Sequence, residues 1–544
     1  MALYHLLFKV HFRKFLTFAV AGCISGIASS GLLITINNQL APSSAASGTN
    51  DALYFAGLLL IFVVSTRLLS GSVIRFTQQQ LGAIRLEMTQ RIVGSDYTAI
   101  SDKQSRIYAC LTRDVVVLSE CCLGIVELIS AIIVFSCCIV YLGILSVQVL
   151  LATMLLILAG LLLYLLNRRS FMAHLSRARD TEEHFVRHLE YILGGFKEIK
   201  VNPAKGSEIF ESEIRKDITD SIFYHRKGIT GMINNNFFVQ LSYYSFIGCF
   251  LFGVSDYLLH GDPVLTTRLV FLLLFILKPL ETILMQIPGV AMANVAASRI
   301  IDMKDELNSS GESISQLPVV SDPPLFQSLH YQDISFSYES KGGDTPFRLG
   351  PINMQVEKGG ITFIHGGNGS GKTTFLKVLL QMLPVSEGRI LLNGYPITSA
   401  NKSDYLCCFS VVFSDYYLFD KLYGISDPAI SQFRHYLALF EMAHKVDLKE
   451  RTFSTINLSA GQRKRLALIA ALMENRPVLV LDEWAADQDP VFRRRFYEII
   501  LPSLISEGRT IIAITHDDAY FHVAHHLYRM DTGVLTETPQ GSLV

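Results

Sequence analysis

Long apolar stretches dominate the first 300 residues of the chain, whereas the remainder mixes apolar and polar residues as a soluble α/β protein does. A helix of about 20 apolar residues is long enough to cross a bilayer. Six stretches have this character: about 15–38, 53–75, 118–141, 146–166, 235–257 and 266–288. The pattern therefore predicts a membrane half with six spans, followed by a soluble half.

The positions of Lys and Arg predict on which side of the membrane each connection lies. Three basic residues precede the first span: Lys9, Arg13 and Lys14. The loop 39–52 and the short turn 142–145 contain neither Lys nor Arg, whereas 167–232 contains twelve of them. We expect the N-terminus and 167–232 to be cytoplasmic and the two connections without basic residues to lie outside.

The apolar periodicity of the cytoplasmic segments indicates helices that continue far beyond the membrane. We expect their turns, near Ala99–Asp102 and Gly206–Ile209, to contact the soluble half. The stretch SSGESISQLPVVSDPP at 309–324 is rich in Ser and Pro and is typical of a linker. These features predict a transmembrane domain at 1–308 and a soluble domain at 325–544.

Composition and charge agree with this division and exclude one class of partner. Hydrophobic residues make up 50% of the 544 residues and charged residues only 17%, and the mean hydropathy is +0.35. The formal net charge is −1, so no strong positive field attracts nucleic acid. Membrane lipids are expected partners, and nucleic acid is not.

A phosphate-binding loop lies near the start of the soluble half, in ITFIHGGNGSGKTTFLKVLL at 361–380. A β-rich run enters the loop and a helix-like run leaves it, which is the context that the G-x-x-x-x-G-K-[ST] motif requires. Lys372 is expected to reach the β- and γ-phosphates and Thr373 to offer its hydroxyl to Mg²⁺. The predicted nucleotide contacts are Gly366, Gly367, Asn368, Gly369, Ser370, Gly371, Lys372, Thr373 and Thr374.

The stretch VLVLDEWAADQDP at 478–490 places four carboxylates within eight positions, although like charges this close resist ionisation. They are Asp482, Glu483, Asp487 and Asp489. We interpret VLVL as a buried strand beside the phosphate loop. Asp482 would then reach Mg²⁺, directly or through water, and Glu483 would face the water that attacks the γ-phosphate. On this interpretation the nucleotide-bound metal offsets the repulsion among the carboxylates.

Further motifs resemble those of a known family. LSAGQRKRLAL at 458–468 resembles the signature of ABC ATPases, and it is followed by the acidic strand and by RTIIAITH, which ends at His516. The resemblance implies an α-helical six-span transmembrane domain fused to an α/β P-loop ABC ATPase domain, as in exporter half-transporters. The combination of VVFSDYYLFD, LSAGQRKR, DEWAADQDP and ITHDDAYF is similar to the bacterial cyclic-peptide and peptide-siderophore exporter family.

The resemblance also implies roles for individual residues. Glu483 matches the catalytic carboxylate and His516 the switch histidine that contacts the γ-phosphate. Tyr338 stands where an aromatic ring stacks on adenine. Nucleotide contacts made by a second subunit fall on the signature residues Ser459, Gly461 and Gln462 and on the loop acid Asp489.

Two positions depart from the general ABC pattern. Ser414 stands where a glutamine is expected beside Mg²⁺, so the contact requires either Ser414, through an intervening water, or the neighbouring Asp415. Asp487 makes the loop more acidic than usual, and we interpret it as a solvated or interface charge without a catalytic role. Trp484, the only tryptophan, is interpreted as a packing residue.

The resemblance implies a homodimer, because each nucleotide lies between the phosphate loop of one subunit and the signature of the other. The expected function is ATP-driven export of a peptide-like substrate (a cyclic peptide, a lipopeptide or a peptide siderophore precursor) across the bacterial inner membrane by alternating access. The N-terminus and the ATPase domain would be cytoplasmic. A lipid or general amphiphile flippase and an ATP-gated membrane regulator without transport are the alternatives.

Charged residues inside predicted spans mark a candidate transport path, because charges in a bilayer usually face a cavity or a partner. Arg67 and Glu127 lie at similar depth, so we expect them to pair or to face each other across the inner cavity. Glu281, one turn beyond Lys278, is placed to balance it within the sixth span. Two interpretations follow: either these charges form internal salt bridges that only fix the helix register, or Lys278 and Glu127 line the path and sense substrate polarity.

Overall fold

The computed structural model describes residues 2–7, 12–39, 49–101, 103–254, 262–308, 324–338, 347–425 and 429–538. They form two compact units. The helical unit comprises Met1–Thr89 and Ser105–Asp305, and the sheet unit comprises Gln90–Gln104 and Glu306–Val544. The predicted linker, 309–324, lies outside the described residues except for Pro324.

Long helices make up the helical unit and the connections at its ends. The α-helices are Ala2–Leu7, Phe12–Gln39, Thr49–Gly94, Gln104–Ala109, Val115–Leu145, Val147–Gly194, Phe196–Val201, Pro203–Glu208, Arg215–Cys249 and Pro263–Asn308, with π-helical segments at Cys110–Asp114, Ile209–Ile214 and Phe250–Val254. Within the described residues, five helices are long and apolar enough to cross a membrane: Leu16–Gln39, Asn50–Gly94, Arg106–Leu145, Val147–Gly194 and Pro263–Leu307. The remaining predicted span, 235–257, lies on Arg215–Cys249 and Phe250–Val254, and its last residues lie outside the described part.

The turn predicted at 142–145 is wrong. The helix Val115–Leu145 continues through these positions, and only Ser146 separates it from the next helix. Ser146 has extended backbone angles, and its hydroxyl accepts a hydrogen bond from the Val149 amide at 3.4 Å. Gly143 therefore does not break the helix; a Cβ at this position would lie 3.2 Å from the Leu150 side chain, so the glycine allows the two consecutive helices to approach closely.

The core of the helical unit is built on one face of the helix Pro263–Asn308. Leu269, Leu272, Leu273 and Ile276 are fully buried, and their spacing of three and four residues places them on one side of a helix. They belong to a hydrophobic cluster that also includes residues of the helices Val115–Leu145, Val147–Gly194 and Arg215–Cys249. This face packs the helix into the core of the helical unit.

Of the charged residues on the predicted path, Lys278 and Glu281 have the expected partner, whereas Glu127 has a different one. Lys278 and Glu281 form the predicted pair at 3.5 Å, and Glu281 also accepts a hydrogen bond from Gln240 at 3.3 Å. Glu127 accepts a hydrogen bond from Gln286 at 3.1 Å. Arg67 and Glu127, both of which are described, do not form the expected pair; that they face each other across the inner cavity stays a prediction.

The described residues of the sheet unit form twelve strands: β1 (Ser328–Ser337), β2 (Arg348–Glu357), β3 (Ile361–His365), β4 (Glu387–Leu392), β5 (Tyr395–Pro396), β6 (Phe409–Val412), β7 (Leu448–Lys449), β8 (Thr452–Phe453), β9 (Val478–Asp482), β10 (Thr510–Ile514), β11 (His526–Asp531) and β12 (Val534–Glu537). Its helices are Tyr97–Ile100, Lys372–Leu379, Lys402–Leu406, Ile430–Leu439, Ala460–Met473, Pro490–Arg495 and Leu501–Ser506, with a π-helical segment at Phe496–Ile500 and 3₁₀ turns at Trp484–Asp487 and Asp518–Val523.

The main sheet has the strand order β12-β11-β3-β10-β9-β6 and is parallel apart from β12. An antiparallel sheet has the order β2-β1-β4-β5. Alternate residues of β9 enter two different hydrophobic clusters: Leu479 and Leu481 belong to one, Val478 and Val480 to the other. Because both faces are covered, VLVL reads as continuously apolar, as expected for a central parallel strand.

The turn predicted near Ala99–Asp102 belongs to the sheet unit, together with the rest of Gln90–Gln104. The short helix Tyr97–Ile100 follows Asp96, whose carboxylate pairs with Lys402 at 3.5 Å. The Lys377 ammonium lies 5.1 Å from the centre of the Tyr97 ring. The contact predicted near Ala99–Asp102 is therefore confirmed, with Asp96 and Tyr97 as the contacting residues; Asp102 lies outside the described part.

Candidate nucleotide site

The phosphate loop joins β3 to the helix Lys372–Leu379, as the motif requires. Lys372 is only 6% exposed, and its ammonium group donates to the carbonyl oxygens of Gly366 and Gly367 at 3.0 Å each. The Ser370 hydroxyl oxygen is buried and has no partner among the described residues. An ammonium group and a free hydroxyl at the N-terminus of a helix are the groups that bind phosphate oxygens.

Two glycines of the loop are required by its geometry. A Cβ at Gly366 would lie 2.1 Å from the Met530 carbonyl oxygen. Gly371 caps the following helix with φ +108°, and a Cβ there would lie 2.8 Å from the Phe347 ring. A side chain at Gly366 would force the backbone to move, whereas one at Gly371 would displace the Phe347 ring and occupy a conformation that L-residues rarely adopt.

The register of the central strands brings the other predicted residues to the same edge of the sheet. In β10, Ile514 is paired with Ile364 of β3 on one side and with Asp482 of β9 on the other. The chain leaves β3 into the phosphate loop, β9 into Glu483 and β10 towards His516. Parallel strands bind ligands at their carboxyl ends, and these three strands end side by side.

Asp482 lies at the end of β9 and is 2% exposed. Its carboxylate accepts hydrogen bonds from the Ser414 hydroxyl at 2.9 Å and the Ser414 amide at 3.4 Å. Burial raises the pKa of Asp482; the Ser414 hydrogen bonds lower it, and the charges of Glu483 and Asp415 raise it. Ser414 thus contacts the predicted metal ligand directly, whereas the charge of Asp415 acts against its ionisation.

Glu483 and His516 are in contact. The Glu483 carboxylate lies 3.0 Å from Nε2 of His516, and both side chains are partly exposed. The Glu483 backbone has φ 47° and ψ 38°, a left-handed conformation that costs about 1–2 kcal/mol for a residue other than glycine. Left-handed residues held in place by their surroundings are frequent at functional sites.

Tyr338 follows β1, and its ring is 43% exposed. The Tyr338 ring contacts Phe336 edge-on at 4.9 Å between centroids. Its hydroxyl lies 3.5 Å from the Thr374 hydroxyl. The structure therefore brings together the predicted adenine contact and a residue of the phosphate-loop helix, and leaves the ring open for stacking.

The signature residues begin the helix Ala460–Met473. Ser459 is its N-cap: the hydroxyl accepts from the Gln462 amide at 3.4 Å, and the Gln462 side chain accepts from the Ser459 amide at 3.2 Å. This capping box has a sequence signal, Ser followed three positions later by Gln, that our sequence analysis missed. Gly461 has a local reason as well, since a Cβ there would lie 2.9 Å from the Asp487 carbonyl oxygen.

Asp487 is a solvated charge, as expected, but it also has a buried partner. Its carboxylate is 55% exposed, but it pairs at 2.9 Å with Lys464, whose side chain is 3% exposed. A buried ammonium group requires such a counter-charge. The role of Lys464 has no sequence signal, because a lysine on a helix is ordinarily solvated. Trp484 is buried, as predicted, and its indole nitrogen donates to the Lys464 carbonyl at 2.9 Å.

Asp489 has partners within its own chain. Its carboxylate caps the helix Pro490–Arg495 by accepting from the Phe492 amide at 2.9 Å, and it pairs with Arg465 at 3.0 Å. The Phe492 hydrogen bond is the main reason that the pKa of Asp489 is lowered. The four carboxylates therefore do not share a single metal ion. Asp487 and Asp489 are neutralised instead by Lys464 and Arg465 of the signature helix.

The oxygen groups near Asp482 fit Mg²⁺, which prefers hard oxygen ligands and usually completes its coordination with phosphate and water. Thr373 is exposed at the start of the phosphate-loop helix, and Asp482 and Ser414 are adjacent to each other at the strand ends. Within the described residues there is no group of three or more His, Cys, Asp or Glu that could hold a metal by itself. Phosphate oxygens would have to supply the remaining ligands.

Residues 349–486 match the family model described as ABC transporter. The chain is also similar in structure to a bacterial Atm1-family ABC exporter solved with ATP bound, with a TM-score of 0.74, 17% identity and coverage of 96% of this chain and 95% of the other. The sheet unit is thus built around an ABC transporter ATPase domain, and the chain has the fold of an ABC exporter. It binds ATP and couples ATP hydrolysis to transport, and its apolar helices make it a membrane protein.

Two relatives illustrate the extent of the sequence similarity. The ATP-binding protein SyrD of Pseudomonas syringae pv. syringae is 29% identical over 531 residues, which cover 95% of this chain and 92% of the relative. The energy-coupling factor transporter ATP-binding protein EcfA1 of Staphylococcus aureus is 29% identical over 214 residues, which cover 38% of this chain and 78% of the relative. Similarity to SyrD therefore extends through the helical unit as well.

Proposed function

We propose that this protein is a homodimeric exporter that moves a peptide-like substrate across the bacterial inner membrane by alternating access. The observation that carries export is the exporter fold along 96% of the chain, joined to a complete set of ATPase motifs. We place the boundary between the transmembrane and ATPase domains in the linker 309–324. The N-terminus and the ATPase domain are cytoplasmic in this proposal.

In the proposed nucleotide site, the phosphate loop and Lys372 hold the ATP phosphates, and Tyr338 stacks on adenine. Mg²⁺, when bound, neutralises phosphate charge, and Thr373, Asp482 and Ser414 are the residues that would hold it. Glu483 orients the attacking water and accepts its proton, and His516, 3.0 Å from Glu483, holds this carboxylate and contacts the γ-phosphate. Such positioning accounts for most of the catalysis in phosphoryl transfer.

A dimer is supported by surfaces that one chain leaves open. Ser459 and Gly461 lie at the N-terminus of a 14-residue helix, where backbone N–H groups suit a phosphate. The sheet unit also exposes three aromatic side chains close together: Tyr417 at 79%, Phe419 at 56% and Tyr423 at 62%. Exposed apolar groups of this size mark interaction surfaces, and a second copy of the chain is the partner we propose.

The substrate class is supported by a cavity of about 600 Å³ in the helical unit. Apolar side chains such as Phe135, Phe238 and Leu284 form most of its lining. Two amides are also present: Asn167 donates to Asn235 at 3.3 Å, and Nδ2 of Asn235 is buried without a partner in the described part of the chain. An apolar space with amide groups suits a substrate with apolar side chains and peptide carbonyls.

ATP turnover of the full-length protein in lipid nanodiscs, measured with a panel of cyclic peptides, linear peptides, siderophore precursors and lipids, tests the substrate class. We expect peptide-type compounds to stimulate turnover at micromolar concentration. Stimulation by lipids alone would favour the flippase instead. If no compound changed turnover, the regulator without transport would become the better description.

A further inference from the structure

Lys464 is a buried cation that contacts the loop carrying the proposed catalytic carboxylate. Its ammonium group donates to the Glu483 carbonyl oxygen at 2.9 Å and to the Asp487 carboxylate at 2.9 Å. It lies within the signature helix Ala460–Met473, five residues after the N-cap Ser459. One side chain therefore joins the signature helix to both ends of the segment Glu483–Asp487.

The Glu483 backbone is held on both sides. Its amide donates to the Ile514 carbonyl of β10 at 3.0 Å, and its carbonyl accepts from Lys464. Between these two hydrogen bonds the residue adopts its left-handed conformation, which is unfavourable for a glutamate without external support. A change in either bond would allow the backbone to relax and would turn the carboxylate away from its position beside His516.

Neighbouring contacts strengthen the same connection. Gln488 donates to the Gly461 carbonyl at 3.2 Å and accepts from Arg465 at 2.8 Å. The Arg465 guanidinium lies over the Phe492 ring at 3.4 Å from its centroid. These contacts fix Gln488, which follows the segment Glu483–Asp487, whereas Lys464 contacts Glu483 itself.

We propose that Lys464, with Asp487 as its counter-charge, is a positioning residue that fixes the backbone of Glu483 for ATP hydrolysis. This inference rests on the proposed catalytic role of Glu483. Lys464 does not touch the nucleotide in this proposal; it acts through Glu483. Its loss should therefore lower the turnover number and leave nucleotide binding, which depends on the phosphate loop, largely intact.

The test compares ATP hydrolysis and ATP binding by the full-length protein in nanodiscs for Lys464→Met and Asp487→Ala. Methionine fills the buried site with an unbranched apolar chain, and the Asp487 carboxylate left behind is half exposed. We expect kcat to fall about 10- to 100-fold in Lys464→Met, because small misplacements of a catalytic group cost up to about 10² in rate, with the KM for ATP within about threefold of the original.

The double variant shows whether the two residues act together. If they do, Lys464→Met combined with Asp487→Ala has about the kcat of Lys464→Met alone; independent losses that multiply would contradict the proposal. Arg494→Met is the matched control, because Arg494 lies outside the signature helix and forms an exposed pair with Glu498 at 2.9 Å. This variant should leave kcat and KM unchanged.

Two outcomes separate this inference from the role of Glu483. If Glu483→Gln abolishes turnover while Lys464→Met and Asp487→Ala keep kcat within threefold of the original, the positioning role is refuted and the catalytic role stands. Turnover retained in Glu483→Gln would refute both. A fall in ATP affinity and thermal stability of the two variants, with kcat per ATP-binding molecule unchanged, would reduce Lys464 to a packing role.

Discussion

The four carboxylates between β9 and the helix Pro490–Arg495 are kept apart by different partners. The pairs are Asp482 with Ser414, Glu483 with His516, Asp487 with Lys464, and Asp489 with Arg465. Each partner removes part of the repulsion that four carboxylates in eight positions would otherwise feel. Asp482 is the one that is both buried and without a basic partner, and it is therefore the one best suited to a metal ion.

Ser414 should affect the Mg²⁺ requirement through the protonation of Asp482. Its hydrogen bonds lower the pKa of Asp482 against the effect of burial, so Ser414→Ala raises this pKa further. A proton then competes better with Mg²⁺, and it competes more as the pH falls. We expect the Mg²⁺ concentration for half-maximal ATP hydrolysis to rise by at most about fivefold, since one hydrogen bond contributes about 1 kcal/mol, and to rise more at pH 6 than at pH 8.

Ser410→Ala is the matched control for this measurement. Ser410 lies on β6, which ends two residues before Ser414, and its hydroxyl donates to another carboxylate, Glu474, at 2.9 Å. It should leave the Mg²⁺ requirement unchanged at both pH values. An equal Mg²⁺ requirement in Ser414→Ala and in the unmutated protein at pH 6 would remove Ser414 from the metal site.

Sequence reasoning located Asp482 and Glu483 because their positions follow from local patterns: an apolar strand that ends in two acids. It could not find Lys464 in the same way. The contact between Lys464 and Asp487 joins residues 23 positions apart, and its strength depends on burial, which no local pattern around a helical lysine reveals. The neutralisation of Asp487 by Lys464 and of Asp489 by Arg465 could not be predicted for the same reason.

At the scale of elements, helices and their ends were only partly predictable. The short connection expected at 142–145 lies at Ser146 instead, which alone separates the two helices. A glycine within a helix is tolerated when a neighbour packs closely against it, and that neighbour belongs to the next helix. The pair of Lys278 and Glu281 was predictable, because three residues along a helix bring two side chains together.

Lys278 provides a prediction for the helix Pro263–Asn308. Its side chain is 81% exposed and lies 3.5 Å from Glu281. Along the helix, Lys278 comes just before the residues that line the cavity, which are Leu280, Ile283, Leu284 and Ile287. If it senses substrate polarity, Lys278→Met should lower the ratio of substrate-stimulated to basal ATP hydrolysis at least about threefold, which corresponds to the loss of one weak charged contact. Nanodisc assays with the stimulating peptide measure this ratio.

Lys278→Arg is the matched variant, since it keeps the positive charge at the same position. It should retain most of the stimulation. Equal stimulation in the unmutated protein, Lys278→Met and Lys278→Arg would show that Lys278 only pairs with Glu281 and takes no part in the substrate path.

For the whole molecule, the division into a helical half and a sheet half follows from the sequence because bilayer and water select different apolar patterns. The sequence predicts that the turn near Ala99–Asp102 contacts the soluble half. It does not predict that the whole segment Gln90–Gln104 belongs to the sheet unit. The pairing of Glu127 with Gln286 instead of Arg67 was not foreseen, because depth in the membrane does not determine which way a side chain faces.

ATP-dependent uptake of a labelled peptide into inside-out membrane vesicles tests the central claim most directly. The peptide is the one that stimulates ATP hydrolysis most strongly. Vesicles with the unmutated protein should accumulate it against a gradient when ATP is present, and vesicles with Glu483→Gln should bind ATP equally well but accumulate none, because general-base steps contribute about 10²–10⁴ in rate. No accumulation by the unmutated protein, or equal accumulation by Glu483→Gln, would contradict export driven by hydrolysis at Glu483.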